Sequence, residues 1–148
     1  MPAKNPPSRF WFLAKTDPDT YPIDTLEQEV QTVWDGVRNP QALAAIRTMK
    51  SGDRAFIYHS MGNPAVVGIA DIVSDSRPDP KDPKLAVVDL RFFCRLDPPI
   101  TLGTIKESGL FNDWSLVRQS RLSTMAAPLA FVEWLRRQTG PQDKKLQF

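Results

Sequence analysis

Six consecutive residues, Trp34-Asp35-Gly36-Val37-Arg38-Asn39, gather a large aromatic, an acid, a turn-forming glycine, a guanidinium and a carboxamide. That mixture suits a loop lining a pocket. An indole offers a flat apolar face for stacking, and arginine and asparagine offer directional donors beside it. A nucleobase is flat with hydrogen-bonding edges, and extruded or single-stranded bases are held by stacking and edge bonding. The alternative is a turn whose tryptophan faces the core.

Three other segments carry polar chemistry. Lys15-Thr16-Asp17-Pro18 places a cation and a hydroxyl where a strand gives way to a loop. His59, in Tyr58-His59-Ser60 before Met61-Gly62-Asn63-Pro64, reads either as a donor at a pocket mouth or as a surface imidazole at a strand end. Arg118-Gln119-Ser120-Arg121-Leu122-Ser123 concentrates guanidiniums, an amide and hydroxyls. Arginine forks match phosphate oxygens and carboxamides match base edges; the alternative is a solvated polar segment.

Catalysis finds little support. A nucleophilic triad would need His59 as its base, and no Gly-x-Ser-x-Gly elbow occurs. No glycine loop of the Walker or dinucleotide type is present. The pairs Asp17/Asp19 and Asp35/Asp113 could exchange protons, but aspartates in Asp-Pro and Asp-Gly contexts are turn residues. The sequence therefore reads as a non-enzyme. With Cys94 the sole cysteine and His59 the sole histidine, no internal disulfide and no structural zinc are expected. No metal or other cofactor is implied, and a reducing compartment fits: cytoplasmic, or nuclear in a eukaryote.

The elements that must position these residues follow from patterning. A chain of 148 residues, 41% hydrophobic and 24% charged, makes one globular domain with a real core. No apolar run approaches a membrane span, and the first residues lack a secretory stretch. A net charge of +2 argues against a broad electrostatic sleeve for duplex DNA, so nucleic-acid affinity must come from a local site. Arg9 to Lys15 reads as a strand apolar on both faces, central or part of a closed barrel. Asp24 caps a short helix with Glu27 three residues on. Asn39-Pro40 starts a second, with Leu43, Ile46 and Met49 as its buried stripe and Gly52 to end it. Strands are expected over Asp53–His59, Ala65–Ser74 and Leu85–Leu96, with Asp75–Lys84 as a loop. Helices are expected over Thr101–Glu107 and Pro128–Gln138. Trp11, Trp114 and Trp134 take core positions by default. The sum is an α+β fold: a small mixed barrel flanked by short helices.

Taken together these segments resemble the EVE-domain family, a branch of the PUA-like superfamily related to the YTH readers of N6-methyladenosine. The resemblance runs from about Phe10 to Leu135. It rests on Lys15-Thr16-Asp17-Pro18, the segment Trp34 to Asn39, Tyr58-His59-Ser60, Val67-Gly68-Ile69-Ala70, Val88-Asp89-Leu90-Arg91-Phe92 and the segment Arg118 to Ser123. It implies a PUA-like barrel, residues 9–140, between a flexible lead (1–8) and a tail (141–148). It further implies a pocket for a modified base, a modified cytosine or a similar mark, flipped from DNA or presented by RNA. In that pocket Trp34 would be the stacking wall. Lys15 and Thr16 would supply polar contacts, Asn39 and Ser60 would reach the base edge, and Arg121 would hold a flanking phosphate. Arg38, Gln119 and His59 would be rim donors. The family usually has serine and glutamate where Thr16 and Asp17 stand, and tyrosine where Pro40 stands. The Asp75–Lys84 loop has no aromatic to complete a YTH-like cage. Expected partners are modified DNA or RNA and other proteins of a modification-dependent pathway, with no membrane, the chain acting as a monomer. Two other functions stay open: a catalytic domain acting on nucleic acid through His59, and an adaptor using the pocket for a small molecule or protein.

Overall fold

The computed structural model describes residues 9–139; the expected lead (1–8) and tail (141–148) lie outside them. Strand β1 (Trp11–Thr16) is buried on both faces, as its double apolar pattern requires. Trp11 and Leu13 enter one core, Phe12 and Ala14 a second. Such a strand must be interior: β1 pairs in parallel with β3 (Arg54–His59) and antiparallel with β7 (Thr124–Ala126). From β3 the sheet continues to β4 (Ala65–Ile72) and to β6 (Asp82–Thr101), whose far edge takes β2 (Gln31–Trp34). The order is β2-β6-β4-β3-β1-β7, and β5 (Arg77–Asp79) pairs with the start of β6 as an extension of the β4 arm.

Among the described residues, five short helices complete the α+β fold. Helices α1 (Ile23–Glu29) and α2 (Pro40–Arg47) cover the core of Phe12 and Ala14. Helix α2 packs against both β7 and β6, which stand near opposite ends of the strand order, so the sheet curls around this core and the helix closes it. The opposite face is covered by α3 (Leu102–Glu107), α4 (Ser115–Arg118) and α5 (Leu129–Thr139). There Trp11, Trp114 and Trp134 are buried in an aromatic cluster with Phe56, Phe111 and Phe131, and Trp114 Nε1 donates to the Ala126 carbonyl at 2.9 Å. Gly68 lies where β4 passes under α1. A Cβ there would fall 2.6 Å from the Cys94 carbonyl oxygen and against Ile23 Cδ1, so no side chain fits.

Several boundaries differ from the sequence reading. Pro22 stands at the α1 cap, its preset φ of −74° suiting an extended entry, and Asp24 falls in the first turn. Both Asp24 and Glu27 instead pair with Arg95 of β6. Helix α2 ends at Arg47, with Thr48 as C-cap, and Gly52 (φ +102°) belongs to the turn before β3. The expected loop Asp75–Lys84 holds β5 and the start of β6, fastened where Arg77 bonds Asp89 at 2.9 Å.

Candidate functional site

Strand β2 ends at Trp34, fixed in register opposite Val88 of β6. The indole packs into the α1/α2 core and keeps 9% of its surface exposed. That remainder opens on a cavity of about 510 Å³, within the range of ~300–1,000 Å³ common for small-molecule sites. The end of β1 contributes Lys15 and Thr16; the following turn gives Asp17, Thr20 and Tyr21; β2 gives Thr32, Val33 and Trp34; the next loop gives Asp35 to Arg38; Ser123 closes the ring.

Tyr21 meets Trp34 edge to face, centroids 6.0 Å apart and planes at 79°. The cavity thus has an aromatic corner. Its second wall is held by local chemistry: Thr16 Oγ1 donates to the Tyr21 carbonyl at 2.8 Å, and the Thr20 and Tyr21 N–H groups donate to the Asp17 carbonyl. The Tyr21 hydroxyl donates to Glu29 at 2.6 Å, and burial together with that bond pushes its pKa up. Gly36, at φ +79°, turns the chain back after Asp35 in a conformation that L side chains rarely adopt.

Lys15 is half-buried, and that burial lowers its pKa. Its Nζ donates to the Ser120 carbonyl at 2.9 Å and stands 5.5 Å from the Tyr58 ring centroid, so it ties β1 to the arginine-rich segment. Beside the first cavity lies a shallower hollow of about 320 Å³, lined by Asn39, Arg118, Gln119, Ser120, Arg121 and Leu122. Arg38 faces the first and Asn39 the second, as do Ser123 and Leu122, so the two share a wall. Asn39 Oδ1 accepts from the N–H groups of Gln41 and Ala42 at 2.8 and 3.0 Å, capping α2 and leaving its amide nitrogen as the group able to meet a ligand.

His59 and Ser60 do not line either cavity. His59 Nε2 accepts from the Ile23 N–H at 3.1 Å, and Ser60 Oγ donates to the Thr16 carbonyl at 3.3 Å. Burial lowers the His59 pKa, with Asp24 opposing and Arg95 adding to the shift. Both residues therefore brace the turn behind the cavity. So Trp34, Lys15, Thr16 and Arg38 meet in one cavity, and Asn39, Gln119 and Arg121 in the next. Sequence reasoning missed Tyr21, Thr20, Thr32 and Val33. Tyr21 carried a signal: an aromatic inside a polar turn, directly before a Pro-started helix. Among the described residues no group of three or more His, Cys, Asp or Glu is placed to hold a metal ion, and no helix is long and apolar enough to cross a membrane.

Comparison with known proteins agrees with this architecture. The profile of the EVE domain matches residues 9–138. Thymocyte nuclear protein 1 of Mus musculus is 34% identical, the match covering 67% of this chain and 56% of that protein, and the Rattus norvegicus protein is 32% identical over the same shares. The chain thus spans about half the length of these curated relatives. A crystal structure from Agrobacterium tumefaciens superposes with a TM-score of 0.84 at 31% identity, covering 92% of this chain and 97% of that one. Human THYN1, solved in complex with DNA containing 5-methylcytosine, superposes with a TM-score of 0.81 at 24% identity, covering 90% of this chain and 99% of that one; the likeness shows a shared fold. The chain belongs to the EVE domain family.

Proposed function

We propose that residues 9–140 form a non-catalytic, monomeric nucleic-acid-binding domain that accepts a modified base, flipped from DNA or presented by RNA, into the cavity beside Trp34. The observation carrying this reading is the aromatic corner of Trp34 and Tyr21, at the edge of which Lys15 and Arg38 supply cationic donors. A structure of human THYN1 holds DNA containing 5-methylcytosine, which supports a modified base as the ligand class. Arg121 and Gln119, in the adjoining hollow, are assigned to the flanking backbone, and the Asn39 amide nitrogen to the boundary between base and phosphate. His59 and Ser60 act through the turn they brace. With its Nε2 committed to the α1 backbone, His59 gives no support to catalysis.

Energies fit a reader of modest affinity. Extruding a base costs about a few kcal/mol, and one aromatic stack returns ~1–3 kcal/mol. The two nearly cancel, so edge hydrogen bonds and phosphate contacts must supply the surplus. Titration of modified against unmodified oligonucleotides tests this. Trp34→Ala should abolish the preference for the modified base. Because truncating a buried tryptophan costs ~3–5 kcal/mol, the melting temperature is measured alongside, and Trp34→Phe serves as a ring-retaining control with partial binding. Tight, salt-independent binding to unmodified duplex would overturn the assignment.

A further inference from the structure

The cavity loop holds two opposite charges that do not neutralise each other. Asp35 and Arg38 both line the cavity, three residues apart across the Gly36 turn, yet they form no ion pair, and neither carboxylate nor guanidinium has another charged partner among the described residues. Asp17, the other carboxylate of the lining, already accepts the Asp19 N–H at 2.9 Å. An exposed aspartate beside a phosphate-binding rim is unfavourable for the backbone of a nucleic acid, since it repels the charge that Arg38 attracts. Lining the cavity, it suits a ligand group that donates.

We infer that Asp35 is a specificity determinant that selects a pyrimidine bearing an exocyclic amine over one bearing a carbonyl at the same position. The inference rests on the base-reading role proposed above and adds which edge is read. A carboxylate is acceptor-only and a guanidinium donor-only. Cytosine offers the complement: its N4 amine donates and its ring nitrogen and O2 accept, and an acidic side chain accepting from cytosine N4 is an established pairing geometry. Thymine and uracil place a carbonyl where the amine stood. Their one ring N–H lies between two carbonyl oxygens, so a carboxylate approaching it meets a lone pair. Asp35 is exposed in the free chain, so the penalty arises on binding: an acceptor that a seated base covers and leaves unmatched discriminates more strongly than one that merely loses a contact.

5-Methylcytosine and thymine provide a near-isosteric probe, differing at position 4 and in the ring proton that this change entails. Short single-stranded oligonucleotides carrying one or the other at a single site are titrated with the full chain. The wild type should prefer 5-methylcytosine by about tenfold, equivalent to about 1.4 kcal/mol. Asp35→Asn, whose amide can turn either way, should bring the two affinities within about twofold, chiefly by weakening 5-methylcytosine, with an unchanged melting temperature. Equal, Trp34-dependent binding of both oligonucleotides by the wild type would overturn the amine selection and leave the reader role standing. A preference that survives Asp35→Asn would remove Asp35 from it. Binding of neither would overturn both.

Discussion

His59 accepts a backbone hydrogen bond through Nε2, which requires that nitrogen to be unprotonated. Its pKa is lowered from the ordinary 6.5 chiefly by burial. The unfolded chain therefore binds the proton more readily than the folded one, so the associated stability is complete above pH ~6.5 and is lost as pH falls through the folded value. Thermal melts should show a decline on acidification in that window. His59→Gln, which keeps an acceptor and cannot titrate, should flatten it; an unchanged acid profile would show that this bond contributes nothing. Because Ile23 follows the Tyr21 turn, base binding should weaken in the same window. Single residues were legible to different degrees. Trp34, Lys15 and Arg38 were visible as chemistry in polar segments, and the structure puts them in one cavity. The bracing roles of His59 and Ser60 were not, because hydrogen bonds to backbone 36 and 44 residues away leave no mark in local composition.

Elements with strong end signals were read well, the short helices α1 and α3 among them, and the shortest strands were not. Helix α2 begins where Asn39-Pro40 indicated, since cap and proline act within one turn of sequence. Strands β2 and β7 hold four and three residues, too few for a periodicity, and exist through pairing with β6 and β1. Strand β5 was hidden in a proline- and aspartate-rich run that pairs with β6 and is also tied to it where Arg77 reaches Asp89. The double duty of Asn39 can be separated at this level. Asn39→Asp keeps the cap oxygen and places a negative charge at a helix start, so melting should shift by less than about 0.5 kcal/mol. Oligonucleotide affinity should nonetheless fall several-fold, because a donor has become an acceptor beside phosphate. Asn39→Ala should cost about 1 kcal/mol of stability as well. If Asn39→Asp binds like wild type, the amide nitrogen touches no ligand.

At the scale of the molecule, an α+β fold of a small mixed barrel flanked by short helices was expected from clustered strands and a doubly apolar β1, whereas the closure by α2 against β7 was not. Charge acts weakly here, with a net of +2. If Arg38 and Arg121 neutralise two phosphates, the logarithm of affinity should fall with the logarithm of salt at a slope of about −1.4 on single strands and −1.8 on duplex. A slope several times steeper would mean that a broad basic face, not a local site, holds the strand. The two cores on either side of β1 divide the indoles unequally: Trp11, Trp114 and Trp134 share one, while Trp34 stands in the other. Emission from this protein is therefore partitioned by anatomy. Quenching by a seated base would reach a single fluorophore, and the remaining signal would keep reporting on the remote hydrophobic half, so occupancy and unfolding could be followed as separate spectral events in one unlabelled sample.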